Sequence, residues 1–212
     1  MKILVACEVS GTVRDAFRQR GHDAYSCDLQ DADSPFHIVG DVTRVLQDGW
    51  DMVVAHPPCT YLTVTGNRWF KPEYRSRFPT READREAAIQ FFMLFANLGS
   101  VQKVCIENPI GVMSRVYRKP DQIIQPYMWG DAASKSTCLW LKGLPKLVQT
   151  HYEAPLFGMA EDRGEFVTYK SGKRCAKWYA DAASLGKKDR SNVRSKTFPG
   201  IAAAMAAQWG RC

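Results

Sequence analysis

Apolar positions along the chain alternate between short unbroken runs and stretches of helical spacing. Residues 2 to 7 form a run that predicts a buried strand, residues 11 to 20 carry Val13, Ala16 and Phe17 on one helical side, and Gly21-His22-Asp23 turns into a second strand over 24 to 28. After Gly40-Asp41-Val42, Thr43 is placed to cap a brief helix through Leu46, and residues 50 to 55 predict another buried strand that stops at His56-Pro57-Pro58-Cys59. Residues 60 to 80 mix aromatics, prolines and arginines without a period, which predicts a long functional loop. A helix over 81 to 98 places Ala88, Phe91, Phe92, Phe95 and Leu98 along one side, and a strand over 101 to 106 ends at Glu107-Asn108-Pro109. A further strand is expected at 137 to 141, then an alanine-rich closing helix at 201 to 209 started by Phe198-Pro199-Gly200. This order predicts an α/β fold, a parallel sheet with helices on both faces.

Length, composition and charge refine this picture. At 212 residues the chain suits one well-buried core plus a modest insertion, and its composition is that of a globular protein. The six-residue apolar stretch near the start is too short for a secretory signal, and no stretch approaches a membrane span; a cytoplasmic protein is expected. Seven cysteines stand far apart, with no CxxC pair, so neither a zinc site nor a disulfide framework is indicated, and no metal is expected. Residues 163 to 196 hold ten Lys or Arg against Glu165, Asp181 and Asp189, which accounts for the whole net charge of +7. Interleaved with Phe166, Tyr169, Trp178 and Tyr179, these cations predict a phosphate-tracking surface, to be weighed against a solvated loop. The candidates for backbone contact are Lys170, Lys173, Arg174, Lys177, Lys187, Lys188, Arg190 and Arg194. The expected division is a core of 1–149 with 196–212, and a small basic insertion at 150–195.

In an open α/β sheet, ligands gather beyond the carboxyl ends of the strands. The polar residues fall there: Glu8, Ser10 and Gly11 after the first run, Asp28 at the end of the second, Asp41 in the next crossover, Cys59 after the fourth and Glu107 after the fifth. Pro57-Pro58-Cys59 at one strand end and Glu107-Asn108 at another resemble the DNA cytosine-5 methyltransferases, most of all the short single-domain forms of bacteriophages and prophages. The resemblance runs in order through most of residues 1 to 141 and more weakly through 198 to 212.

The resemblance implies a Rossmann-like S-adenosylmethionine-dependent fold and a bacterial cytoplasm as the setting. Carbon 5 of cytosine is a poor nucleophile, so a thiolate, here Cys59, adds to carbon 6 and builds an enamine that accepts the methyl group. Glu107 would relieve the developing charge by hydrogen bonds to N3 and the exocyclic amine, for which a raised pKa in a closed site is expected. For the donor, the resemblance points to Cys7, Glu8, Ser10, Gly11 and Thr12 in the first loop, Asp28 for the ribose hydroxyls, Leu29 against the adenine, Asp41 with Val42 for the adenine amine, and Pro57. Only Gly11 remains of a normally glycine-rich motif. Ser134-Lys135-Ser136-Thr137 stands where the family places an arginine motif; the arginines are absent, leaving Lys135 or Thr137 to serve, or simply to lead into a strand. The closing segment lacks the family's usual Gly-Asn, and residues 150 to 195 replace a large DNA-reading domain. Double-stranded DNA is the expected partner. The loop 61–78, with Arg68, Trp69 and Arg75, is the candidate clamp on extruded DNA, and a permissive recognition sequence with steep salt dependence follows.

Three other readings fit parts of the sequence. Exocyclic-amine methyltransferases also carry a strand-end Pro-Pro, but need an acid or amide before it and an aromatic after it, where this chain has His56 and Cys59. The same thiolate addition serves enzymes that modify pyrimidine carbon 5 in RNA or nucleotides, or with another donor. The irregular first and last motifs also suit a catalytically silent phage DNA-binding protein.

Overall fold

The computed structural model describes residues 1–149 and 162–211. One seven-stranded sheet organises them: β1 (Lys2–Ala6), β2 (Asp23–Asp28), β3 (His37–Val39), β4 (Met52–Ala55), β5 (Lys103–Pro109), β6 (Gln122–Ile124) and β7 (Thr137–Lys142), in the spatial order β3-β2-β1-β4-β5-β7-β6. From β3 to β5 neighbours are parallel, and β7 runs antiparallel to both β5 and β6. The sheet is therefore mixed rather than wholly parallel, an α/β sheet with helices on both faces. Two of its strands are three-residue pieces, β3 and β6, too short to leave a periodic signal.

Alternation along the central strands explains the two covered faces. Ile3 and Val5 of β1 with Met52 and Val54 of β4 pack against Val13 and Phe17 of α1 (Thr12–Arg18) and against α6 (Pro199–Trp209). Leu4, Ala6, Val53 and Ala55, one residue out of step, pack on the other face with Phe92 and Phe95 of α2 (Arg81–Ala96). α6 is apolar nearly all round, which suits its burial against α1. A short α3 (Met113–Val116) follows β5.

Two local features differ from expectation. Thr43 does not cap a helix: Asp41 does, its Oδ1 accepting from the Thr43 N–H at 2.9 Å to start a 3-10 turn over Val42–Arg44. β5 is longer than its apolar run, so Glu107, Asn108 and Pro109 lie within it, paired with Leu139, Cys138 and Thr137. Residues 60–80 contain two 3-10 stretches, Val64–Phe70 and Pro72–Tyr74, outside the sheet. Beyond β7, the described part of the basic segment forms a hairpin of β8 (Phe166–Thr168) and β9 (Arg174–Ala176), then α4 (Lys177–Asp181) and α5 (Lys187–Ser195). Among the described residues no helix is long and apolar enough to cross a membrane.

Candidate functional site

Three strands carry the central cluster. β4 delivers His56, Pro57, Pro58 and Cys59, with the His56 N–H still bonded to Ala6 of β1 at 2.9 Å. Beyond Cys59 the chain turns sharply, the Leu62 and Thr63 N–H groups both donating to its carbonyl. β5 lies beside β4 and holds this loop through Asn108, whose Nδ2 donates to the Pro57 carbonyl at 2.7 Å in a buried bond. β7 brings Thr137, 3% exposed, and Lys135 just before it, from the other side of β5.

Glu107 is the hub. The residue is 8% exposed and its Oε2 lies 3.1 Å from His56 Nδ1. Burial works to raise the carboxyl, but the His56 hydrogen bond, the Lys135 ammonium and the Thr137 hydroxyl outweigh it, and Glu107 is held below the usual carboxylate range. The raised value expected from a closed site is thus corrected: the cluster supplies more positive and donating groups than the sequence disclosed. Cys59 answers to the same charges with the opposite result. Burial pushes its thiol up and the Glu107 carboxylate pushes further, against a partial offset from Lys135. Lys135 Nζ also donates to the Lys196 carbonyl at 3.2 Å, and Thr137 Oγ1 to the Lys135 carbonyl at 3.3 Å. Two buried polar atoms of this cluster have no hydrogen-bond partner among the described residues, His56 Nε2 and Asn108 Oδ1.

The second part of the rim lies beyond β1 and β2. Cys7 adopts a left-handed backbone at φ 60°, an uncommon conformation for a residue with a Cβ, and passes the chain into the loop before α1. Burial raises its thiol to about 12 and that of Cys27 to about 11, with the Asp28 and Asp41 carboxylates adding to both. Asp28 spends Oδ1 on the Gln30 N–H, Asp41 spends Oδ1 on Thr43, and Leu29 stands 78% exposed beside them. Val42, by contrast, is 4% exposed and belongs to the core, and Pro57 is buried with its carbonyl engaged.

Glu8 has a task the sequence did not suggest. It is 5% exposed and accepts the Val13 N–H at 2.8 Å and the Arg14 N–H at 3.3 Å, with the Ser10 hydroxyl donating at 3.2 Å. These are the open donors at the start of α1, so a carboxylate already sits where a helix end would attract an anion. Ser10 and Thr12 bond each other through their hydroxyls at 3.1 Å. Gly11 is required: its φ is 69°, and a Cβ there would collide with the Arg14 guanidinium, which is itself bound to Ser26 and Asp15.

The loop residues Arg68, Trp69 and Arg75 form a separate group. Arg68 lies over the Trp69 ring at 4.2 Å, Trp69 meets Tyr74 and Phe78 edge to face, and Arg75 pairs with Glu82 at 3.5 Å in solvent. A cavity of about 370 Å³ is lined here by Trp69, Phe70, Phe78, Arg75 and Arg81. On the basic segment, Lys170, Lys173 and Arg174 are exposed on the hairpin, with Arg174 over Phe166. Lys177 pairs with Glu165 and Arg194 lies over Tyr179 at 3.7 Å. Arg190 sits half-buried on α5, while residues 150–161 and the side chains of Lys187 and Lys188 fall outside those described. This segment is fastened to the rim: Trp178 Nε1 donates to the Ser134 carbonyl, Ser134 Oγ donates to the Arg163 carbonyl, and Trp178 meets Phe198 edge to face.

His56 and Asn108 are the members whose roles the sequence left unread. The only signal for them was adjacency, His56 before Pro-Pro and Asn108 after Glu107. The six described cysteines are free, and among the described residues no cluster suited to a metal ion occurs.

No family model matches this chain, and no curated protein matches it in sequence. In structure it is similar to an E. coli chain described as a candidate DNA modification methyltransferase encoded within a prophage, at a TM-score of 0.44 and 12% identity, over 66% of this chain and 46% of that one. The match therefore spans under half of that neighbour's length.

Proposed function

We propose that this chain methylates carbon 5 of cytosine in DNA, with Cys59 as nucleophile and S-adenosylmethionine as donor. The observation that carries the reading is the meeting of a half-buried cysteine with a buried glutamate, a histidine and a lysine at the carboxyl ends of β4 and β5. A thiol and a hydrogen-bonding carboxyl on one target are what addition at carbon 6 of a pyrimidine requires.

The donor's fit is judged from the rim. Glu8 closes the start of α1, so a phosphate-bearing cofactor would meet a carboxylate where it needs free N–H groups. A cationic sulfonium nucleoside has no such need. Asp28 is the acid for the ribose hydroxyls and Asp41, held by the Thr43 N–H and hydroxyl, the one for the adenine amine, and exposed Leu29 offers an apolar face to the base. S-adenosylmethionine, when bound, supplies the methyl group from its sulfonium. Cys59 attacks carbon 6, Glu107 engages N3 and the exocyclic amine, and Lys135 and Thr137 brace Glu107 from the β7 side. Asn108 fixes the loop that aims Cys59. Residues 150–195 act as the DNA-contacting insertion on the core 1–149 and 196–212, with Lys170, Lys173 and Arg174 on phosphates and the Arg68–Arg75 loop against the extruded site.

A second reading, a silent DNA-binding protein on this fold, draws on one observation: the Cys59 thiol is raised rather than lowered. Tritiated methyl transfer from S-adenosylmethionine to unmethylated duplex DNA, with nucleoside mass analysis, separates the two. The wild type yields 5-methylcytosine and Cys59→Ala yields none. Donor binding without transfer moves the substrate to RNA or nucleotides, and absence of any thermal stabilisation by the donor ends the methyltransferase reading.

A further inference from the structure

The central cluster holds a contradiction that points to one more residue. Addition of sulfur to carbon 6 requires a proton at N3 of the base, and Glu107, the residue placed to give it, is held as a carboxylate without one. Its partner is His56, whose side chain is 9% exposed, whose Nδ1 lies 3.1 Å from Glu107 Oε2, and whose Nε2 is buried with no partner among the described residues. An imidazole is the side chain whose charge changes most readily near neutral pH, and here it is locked between β4 and the glutamate.

We infer that His56 is the proton store behind Glu107, a positioning residue that gives its Nδ1 proton to the Glu107 carboxylate, which then delivers it to N3 of the target base. The inference rests on the pyrimidine-methylating reading above. The step balances. Cys59 first releases its proton to solvent; the sulfur lone pair then forms the S–C6 bond, the C5=C6 π pair moves to C4–C5, and the C4=N3 pair moves onto N3. His56 Nδ1 first gives its proton to the Glu107 carboxylate, Glu107 passes that proton to N3, and His56, which began with a proton on each nitrogen, is left neutral with its remaining proton on Nε2. After methyl transfer and loss of the carbon 5 proton, elimination of Cys59 returns the proton along the same route.

The charged and titratable groups facing this pair are Cys59 from its own loop, Glu107 and Cys105 from β5, and Lys135 and Cys138 from the β7 side, with Asp121 acting on Cys105. Cys59 and His56 impose opposite pH limbs. Deprotonation of Cys59 makes the rate rise with pH, and loss of the His56 proton makes it fall.

The test is the pH profile of kcat for methyl transfer to duplex DNA in the wild type and in His56→Asn, whose amide N–H still donates to Glu107 but has no proton to give. The wild type is expected to give a bell. His56→Asn is expected to lose the alkaline limb and about 10²- to 10⁴-fold in kcat, with KM for DNA changed by less than about threefold. A His56→Asn enzyme with the wild-type kcat and bell would overturn the inference. A second measurement needs no substrate: nitrogen-15 NMR of the free protein, the His56 signals identified by their absence in His56→Asn. Glu107→Gln is expected to move protonation of His56 to lower pH; an unmoved midpoint refutes proton sharing. If the wild type transfers no methyl group to cytosine, the methyltransferase reading falls, and the NMR experiment still decides whether the two residues share a proton.

Discussion

Asn108 offers the sharpest quantitative test of how the Cys59 loop is held. Its Nδ2 donates to the Pro57 carbonyl at 2.7 Å, both residues are buried, and its own Oδ1 has no partner. In Asn108→Ala the Pro57 carbonyl becomes unpaired while the unpaired Oδ1 disappears, so one orphan replaces another. What remains is the lost bond and a small cavity, about 1–2 kcal/mol together. For a domain of this size that is roughly 2–8 °C in Tm. Asn108→Asp keeps the shape but turns the donor into an acceptor that is charged at neutral pH, so it should be less stable than Asn108→Ala at pH 7. The sign with pH follows from linkage. Burial raises the introduced carboxyl above its unfolded value of about 3.9, so the loss is absent below that pH and grows as pH rises through the folded value. Urea denaturation from pH 4 to 8 reads this directly. An Asn108→Asp protein as stable as Asn108→Ala at pH 7, or a difference that does not shrink towards pH 4, would refute the proposed role of the amide as a donor to Pro57.

Three further outcomes are expected. Alkylation of Cys59 by iodoacetamide should be slow at neutral pH and accelerate as pH rises, faster in Glu107→Gln and slower in Lys135→Ala, because those groups respectively raise and lower the thiol; mass spectrometry of the labelled peptide gives the rates. Gly11→Ala should destabilise by about 1–2 kcal/mol or more through its left-handed backbone and the collision with Arg14, seen as a lower urea midpoint with unchanged m-value. Replacing Lys170, Lys173 and Arg174 together by alanine should flatten the slope of log affinity against log salt for duplex DNA by about one unit for every phosphate left without its cation, and an unchanged slope removes the hairpin from the DNA surface.

How much of this was legible beforehand depended on the range of the signal. Contiguous apolar runs such as Ile3–Val5 and Met52–Ala55 need only local burial to be read, and they marked the central strands within a residue or two. The antiparallel direction of β7 was not legible, because a strand's own pattern says nothing about which way its neighbour runs. Cys59 and Glu107 stood out as residue types at strand ends. The ionisation of Glu107 did not, since it is set jointly by His56, Lys135 and Thr137, which only folding brings together. Glu8 illustrates the same limit from the other side. Its position on the rim suggested a ligand, while its carboxylate is consumed by two N–H groups a few residues on.

The stretch from Ser134 to Thr137 belongs to two assemblies at once: its backbone and hydroxyl anchor Trp178 and Arg163 of the basic segment, and its lysine and threonine brace Glu107. In engineering terms, the basic segment is not a cassette. Under the proposed function, exchanging it for another DNA-contacting segment, as one would swap an interchangeable module to retarget an enzyme, would also retune the electrostatics at Glu107 and Cys59. Altered target choice and altered turnover should therefore be inherited together, unless the Ser134–Thr137 stretch and its anchors travel with the segment as one piece.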